Sequence, residues 1–369
     1  MSLQAEIDAK AKEIQTDSYP MSIGELINMY KEEEIEVHPD FQRFFRWSDA
    51  QKSKFIESIL LGIPIPPIFV AQGEDGVWDV IDGLQRLSTI FEFVGILKEP
   101  NGKKKVPSQL QATKFLPSLD EKLWESHDNE ENSFTREQRI NFKRSKLDIN
   151  IIKKSSDKDA KYELFQRINS GGTKLSAQEL RNCLLIMLNK DFFNFCQELC
   201  SFEPFRNTIP LSEKLMSERY DMEIIMRYLV YRHSNLEGIK GNEDINDFIT
   251  DQIVKIIEEK SINYDNEKEI FYETFIYLDG LLYESSFKKF DSISHKFKGP
   301  FLISSFEALI VGMSENIQDI KKREDEQIIE RIQAIYESKE YLNATSRNNN
   351  RPVSRLKDLT INSRSIFSK

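Results

Sequence analysis

The stretch from Val77 to Phe93 constrains this chain more than any other part of it. Val77-Trp78-Asp79-Val80-Ile81 has the β-branched and aromatic character of a strand, and Asp82-Gly83 ends it. Helical periodicity starts at once, carried from Gln85 to Leu97 by Leu87, Ile90, Phe91 and Val94. A strand that turns into a helix across one glycine leaves unpaired backbone N–H groups at the helix start. Together with the helix dipole, those groups favour an anion such as phosphate.

The side chains around that turn fit the same chemistry. Gly83 permits a tight turn and close approach of a ligand. Arg86 carries a planar, permanently charged fork that matches phosphate oxygens. Gln85 can hydrogen-bond a phosphate or orient a water, and Ser88 and Thr89 can offer hydroxyls to the anion or to a metal. Asp82 would repel phosphate directly, so it is expected to hold a metal such as Mg2+ or to orient Arg86. On spacing alone, a hairpin-to-helix turn with an aspartate cap and a surface arginine is the commoner outcome.

Upstream, Ile23, Leu26, Ile27 and Tyr30 form the apolar stripe of a charged helical region over residues 1–34, with Ser22 and Glu25 as its capping box. Ile35-Glu36-Val37 reads as a short strand. Ser48 caps a helix carrying Phe55, Ile56, Ile59 and Leu60, and Gly62 stops it. Pro64, Pro66 and Pro67 force an extended segment into the strand Ile68-Phe69-Val70-Ala71, which turns at Glu74-Asp75-Gly76 into the strand from Val77. Residues 98–135 are polar and read as an exposed insertion or a loose helical segment. Leu147, Ile149, Ile151 and Ile152 predict another strand, and Lys158 to Ile168 a helix. From residue 183 onward the pattern is helical almost throughout.

Two further segments stand out. Phe41-Gln42-Arg43-Phe44-Phe45-Arg46-Trp47 interleaves aromatics with arginine, which suits base stacking and phosphate contact or, more commonly, a half-buried loop. Asn169-Ser170-Gly171-Gly172-Thr173 precedes a helix capped by Ser176 and containing Glu179, Arg181 and Asn182. Asn169 could close one side of a ligand pocket there.

Taken together and in order, these segments resemble the DUF262 family, the N-terminal domain of GmrSD-type restriction systems, related to the ParB/sulfiredoxin nucleotide-binding fold. The resemblance rests on Gln42-Arg43, Trp47, Ser58-Ile59-Leu60, Pro64-Ile65-Pro66, Asp82 to Arg86, Asn169 to Gly172, Leu175-Ser176 and Glu179 to Asn182. One position departs, with Leu84 where the family carries glutamine. The resemblance implies nucleotide binding or hydrolysis in defence against foreign DNA. The implied ligand is a nucleoside triphosphate of unspecified base, with Mg2+ as its companion. The implied nucleotide-binding residues are Gln42, Arg43, Asp82, Gly83, Gln85, Arg86, Ser88, Thr89, Asn169, Gly171 and Gly172. Asp82, Gln85 and Arg86 are the catalytic candidates, and Asp82 is the metal ligand.

The implied fold is α+β: a small mixed sheet with helices over residues 1–182, then an all-α domain over 183–369. Relatives often carry a separate HNH nuclease domain. Here His38, His127, His233 and His295 are scattered, and Cys196-x-x-x-Cys200 reads as helix packing, so no such domain is expected. Two alternatives stay open. One is a metal-dependent DNA nuclease, which needs Asp79, Asp82 and Glu179 to converge. The other is a non-catalytic adaptor whose helical half docks a separate nuclease subunit.

Bulk properties bound these readings. The net charge of -10 argues against a chain that coats nucleic acid through total charge, although a local basic surface is allowed. No apolar run approaches the roughly 20 residues of a membrane helix, the start of the chain lacks the apolar segment of a secretory signal, and three cysteines are an odd count. A soluble cytoplasmic protein is the expectation.

Overall fold

The computed structural model describes residues 2–4, 16–37, 47–73, 75–99, 102–126, 130–153, 177–236, 239, 241–346 and 351–368, leaving aside the side chains of Glu179, Leu180, Cys183, Met187 and Ser217. The chain divides into two compact units, Met1–Leu175 and Ser176–Lys369.

The first unit is built on a five-stranded mixed sheet. Its strands are β1 (Thr16–Ser22), β2 (Ile35–Glu36), β3 (Ile68–Gln72), β4 (Trp78–Asp82) and β5 (Lys146–Ile152), in spatial order β1-β5-β3-β4-β2. β1 pairs antiparallel with β5, β5 parallel with β3, β3 antiparallel with β4, and β4 parallel with β2. The predicted hairpin is therefore the centre of the sheet, and the strand predicted around Leu147 lies between β3 and β1. Among the described residues four α-helices join it: α1 (Ile23–Lys31), α2 (Asp49–Leu61), α3 (Leu84–Phe93) and α4 (Arg136–Arg144).

Local chemistry sets several boundaries. Ser48 and Gln51 form a capping box at the start of α2, and Gly62 ends that helix in the left-handed conformation at φ 66°. Ser22 caps α1 by accepting from the Glu25 amide. A register shift at Phe69/Val70 breaks the alternation of β4, so the adjacent residues Val80 and Ile81 are both buried. The core gathers Ile23, Leu26, Ile56, Ile68, Val70, Leu87, Ile90, Phe91, Phe93 and Ile149, with Tyr30 stacked on Phe91 at 4.3 Å between ring centroids.

Two sequence expectations for this unit need correction. Residues 16–22 are not helical. They form an edge strand, a position that tolerates Pro20 because an edge residue has no ladder bond to give up on its open side. Residues 98–135 are irregular but not loose, because Leu110, Leu119, Trp124 and Phe134 are buried in the core. The carboxylate of Glu57, itself buried, accepts from the amides of Phe115 and Leu116 at 3.0 Å each and from the Thr113 hydroxyl, clamping that segment onto α2. The helix predicted over Lys158 to Ile168 lies outside the described residues.

The second unit is helical. Its longer helices are α5 (Ala177–Leu188), α6 (Lys190–Ser201), α7 (Tyr220–His233), α8 (Ile245–Glu258), α9 (Tyr264–Leu282), α10 (Ile303–Glu315), α11 (Asp325–Glu337) and α12 (Pro352–Phe367). Cys196 and Cys200 are buried on α6, as their spacing predicts. An all-α reading misses one element, the antiparallel hairpin of β6 (Lys289–Asp291) and β7 (Lys296–Lys298). Among the described residues, no helix is long and apolar enough to cross a membrane.

Candidate functional site

The turn from β4 into α3 takes the form its sequence predicts. Gly83 is the residue before the helix, at φ 96° and ψ 11°, a conformation that side chains disfavour. A Cβ there would also stand 2.8 Å from Ile68 Cγ1 and 3.1 Å from Arg86 Nη2, so the position excludes any larger residue on two counts. No side chain caps α3. The first backbone bond of the helix runs from the Leu87 amide to the Gly83 carbonyl, so the amides of Leu84, Gln85 and Arg86 have no acceptor among the described residues.

Arg86 is not an open fork. Its Nη2 donates to Asp82 Oδ2 at 2.9 Å and its Nη1 donates to the Pro66 carbonyl. The side chain is only 11% exposed, against 38% for Asp82. Burial pulls the guanidinium pKa down, and the charge and hydrogen bond of Asp82 oppose that pull. The Arg86 side chain therefore ties the proline segment before β3 to the strand–helix turn. Of the two roles expected for Asp82, orienting Arg86 is visible in the geometry. Its second oxygen, Oδ1, has no partner among the described residues. No group of three or more His, Cys, Asp or Glu side chains suited to a metal occurs among those residues.

Gln85 joins two of the segments singled out in the sequence. Its Oε1 accepts from the Trp47 amide at 3.2 Å, and Trp47 packs edge-on against Phe55 at 5.4 Å. The aromatic, arginine-rich segment is thus tethered at its end to the start of α3, while Gln42 and Arg43 lie outside the described residues. Among the described residues, Gln85 Nε2 is enclosed and unpartnered, and so is Ser88 Oγ in a residue 7% exposed. Ser88 follows Gln85 by three, on the same helix face. These two enclosed donors lie on the first turns of the helix whose leading three amides also have no acceptor among the described residues. Thr89 is buried at 2% exposure.

Asn169, Gly171 and Gly172 also lie outside the described residues, as does the side chain of Glu179. The described end of that segment is structural. Arg181 is 1% exposed within the second unit, donating to Thr250 Oγ1 at 3.1 Å, to the Asn246 carbonyl at 3.3 Å and to Gln178. Gln178 in turn donates to Asn182 Oδ1 at 2.7 Å. Of the histidines, His233 faces Glu267 at 2.9 Å, and His295 sits in the β6–β7 turn at φ 52°.

Sequence reasoning missed the part played by Pro66 and the tether from Gln85 to Trp47. Both depend on contacts across 20 and 38 residues, for which no local signal exists.

Residues 23–186 match the family model described as GmrSD restriction endonuclease, N-terminal domain. The resemblance drawn from the motifs thus holds over that segment, from the start of α1 to within α5. Comparison with curated proteins and comparison with solved structures each returned no match.

Proposed function

We propose that residues 23–186, a domain of the GmrSD N-terminal type, bind a nucleoside triphosphate at the Gly83 turn, within a system that restricts foreign DNA. One observation carries the reading: a helix that follows a strand across an uncapped left-handed glycine, with the amides of Leu84, Gln85 and Arg86, unpartnered among the described residues, able to donate to an anion. The unpartnered donors of Gln85 and Ser88 add to that set.

In this reading Arg86 takes a positioning role. With its guanidinium bound to Asp82, Arg86 acts first as a positioning residue that cancels the carboxylate charge beside the amides. Without that cancellation Asp82 would oppose the ligand. Asp82 Oδ1 is the atom that a Mg2+ carried in by the phosphates would meet, since Mg2+ commonly binds through one or two carboxylates plus substrate oxygens. Gln42, Arg43, Asn169, Gly171 and Gly172 complete the set that the family resemblance implies. DNA and a separate nuclease subunit are the partners such a system calls for.

Calorimetry of the full chain with ATP, GTP and CTP, with and without Mg2+, tests the reading. At least one nucleotide is expected to bind, and Gln85→Ala is expected to weaken it. If no nucleotide binds at millimolar concentration, the reading falls.

A further inference from the structure

The β6–β7 hairpin lies outside the matched domain and carries charge opposite to that of the chain. From Lys288 to Lys298 stand four lysines and one aspartate, a local net of +3 in a chain of net -10. Strand pairing sorts these residues by face. Phe290 pairs with Phe297, and both turn inward: Phe290 is buried, and Phe297 lies 6.2 Å from the Tyr336 ring on α11. Tyr336 also donates its hydroxyl to the Lys288 carbonyl at 3.0 Å, so the ribbon is anchored to a helix. The opposite face carries Lys289 directly across from Lys298, and Asp291 directly across from Lys296.

That outward face is organised as a binding surface would be. Two like charges directly opposite one another destabilise a hairpin unless an anion lies between or beside them. Lys298 has a partial answer in Asp291, 3.1 Å away, whereas Lys289 and Lys296 are exposed and have no anionic partner among the described residues. The tip is held in shape. Asp291 accepts from the Ile293 amide at 3.0 Å and from the Ser294 hydroxyl at 2.8 Å, and these bonds with Lys298 lower its pKa to about 2. The side chain presented at this ordered tip is Ile293, 94% exposed.

We propose that the β6–β7 hairpin is a contact for duplex DNA, with Lys289, Lys296 and Lys298 on backbone phosphates and Ile293 inserted at a base step. Proteins that enter the minor groove insert apolar wedges such as isoleucine between base steps beside cationic side chains, and a hairpin tip that presents Ile293 among lysines has that form. Lys296 and Lys298 are two residues apart, about 6.8 Å along a strand, which is the rise of about two phosphates on one DNA strand. An anionic membrane is the less suitable partner, because the hairpin's two aromatic rings face inward and its tip otherwise offers serines and a carboxylate. This contact does not rest on nucleotide binding at the Gly83 turn.

The test measures binding of the full chain to a fluorescent DNA duplex by anisotropy across a salt series. Wild type is expected to bind with a steep salt dependence. Lys289→Ala/Lys296→Ala is expected to weaken binding about tenfold or more at low salt and to reduce the slope of log K against log salt by about 2, roughly one per lost phosphate contact. Ile293→Ser is expected to weaken binding with the slope unchanged. All three side chains are exposed, so melting temperatures should match wild type and separate lost contact from lost fold. Absence of duplex binding by wild type, an unchanged slope in the double variant, or binding to phosphatidylserine vesicles but not DNA would each overturn the assignment.

Discussion

The Asp82–Arg86 pair permits a sharp test of how the Gly83 turn meets an anion, by way of Arg86→Ala, Asp82→Asn and the double variant. Removing Arg86 leaves the Asp82 charge uncancelled beside the amides of Leu84 to Arg86. Two unit charges about 6 Å apart at an effective dielectric near 20 interact by ~3 kcal/mol. Asp82 is 38% exposed, so solvent screening cuts this to ~1.5 kcal/mol, roughly a tenfold change in affinity. Arg86→Ala should therefore weaken nucleotide binding about tenfold, and Asp82→Asn should strengthen it by a similar factor. The double variant should return to within about threefold of wild type, because neither the charge nor its canceller remains. The assay is calorimetric titration with the tightest-binding triphosphate in EDTA, which removes any metal contribution at Asp82. High salt should compress all three differences. If the double variant binds as weakly as Arg86→Ala, Arg86 is a direct ligand, and its positioning role is refuted.

Two stability predictions concern the second unit. At Gly312, where α10 crosses α12, a Cβ would overlap the Ser363 carbonyl oxygen, and backbone cannot step aside as a side chain can. Gly312→Ala should cost ~3 kcal/mol or more in urea unfolding, and a loss under ~1 kcal/mol would contradict the close crossing. Glu267 is buried between Arg232 and His233. Burial alone would raise its pKa, but the His233 hydrogen bond and the Arg232 charge and hydrogen bond outweigh that and lower it to about 2. A depressed carboxylate contributes stability above its unfolded pKa near 4.3 and loses it as pH falls toward the folded value, so roughly 3 kcal/mol should disappear between about pH 4.3 and 2. Glu267→Gln should flatten that part of the stability–pH curve; a curve identical to wild type would refute the pairing.

How far the sequence was legible depended on the range of the interactions involved. Ser48, Gly62, Asp75-Gly76 and Gly83 act within a few residues of themselves, so the ends of α2, the β3–β4 turn and the start of α3 could be read directly. Residues 16–22 could not, because TDSYPMS has little periodicity of its own and becomes a strand by pairing with β5, more than a hundred residues later. The 98–135 segment looked loose for the same reason. Its order comes from Glu57, whose single carboxylate collects three distant donors. The β6–β7 hairpin escaped notice because its strands are three residues each, too short to show a period.

By itself the sequence determined that a strand must run through one glycine into a helix, and that a glutamine and an arginine must leave the first turn of that helix. Turn chemistry and hydrophobic periodicity both favour that arrangement for Val77 to Phe93. Only the tertiary structure decided what those side chains face. Arg86 meets Asp82 and the Pro66 carbonyl, and Gln85 meets Trp47, because the sheet order brings the proline segment beside β4 and the entry to α2 beside α3. An arginine four residues from an aspartate can reach outward to a ligand or back to its neighbour with equal ease. Burial under a second segment of chain makes the choice, since a desolvated guanidinium needs a carboxylate within reach.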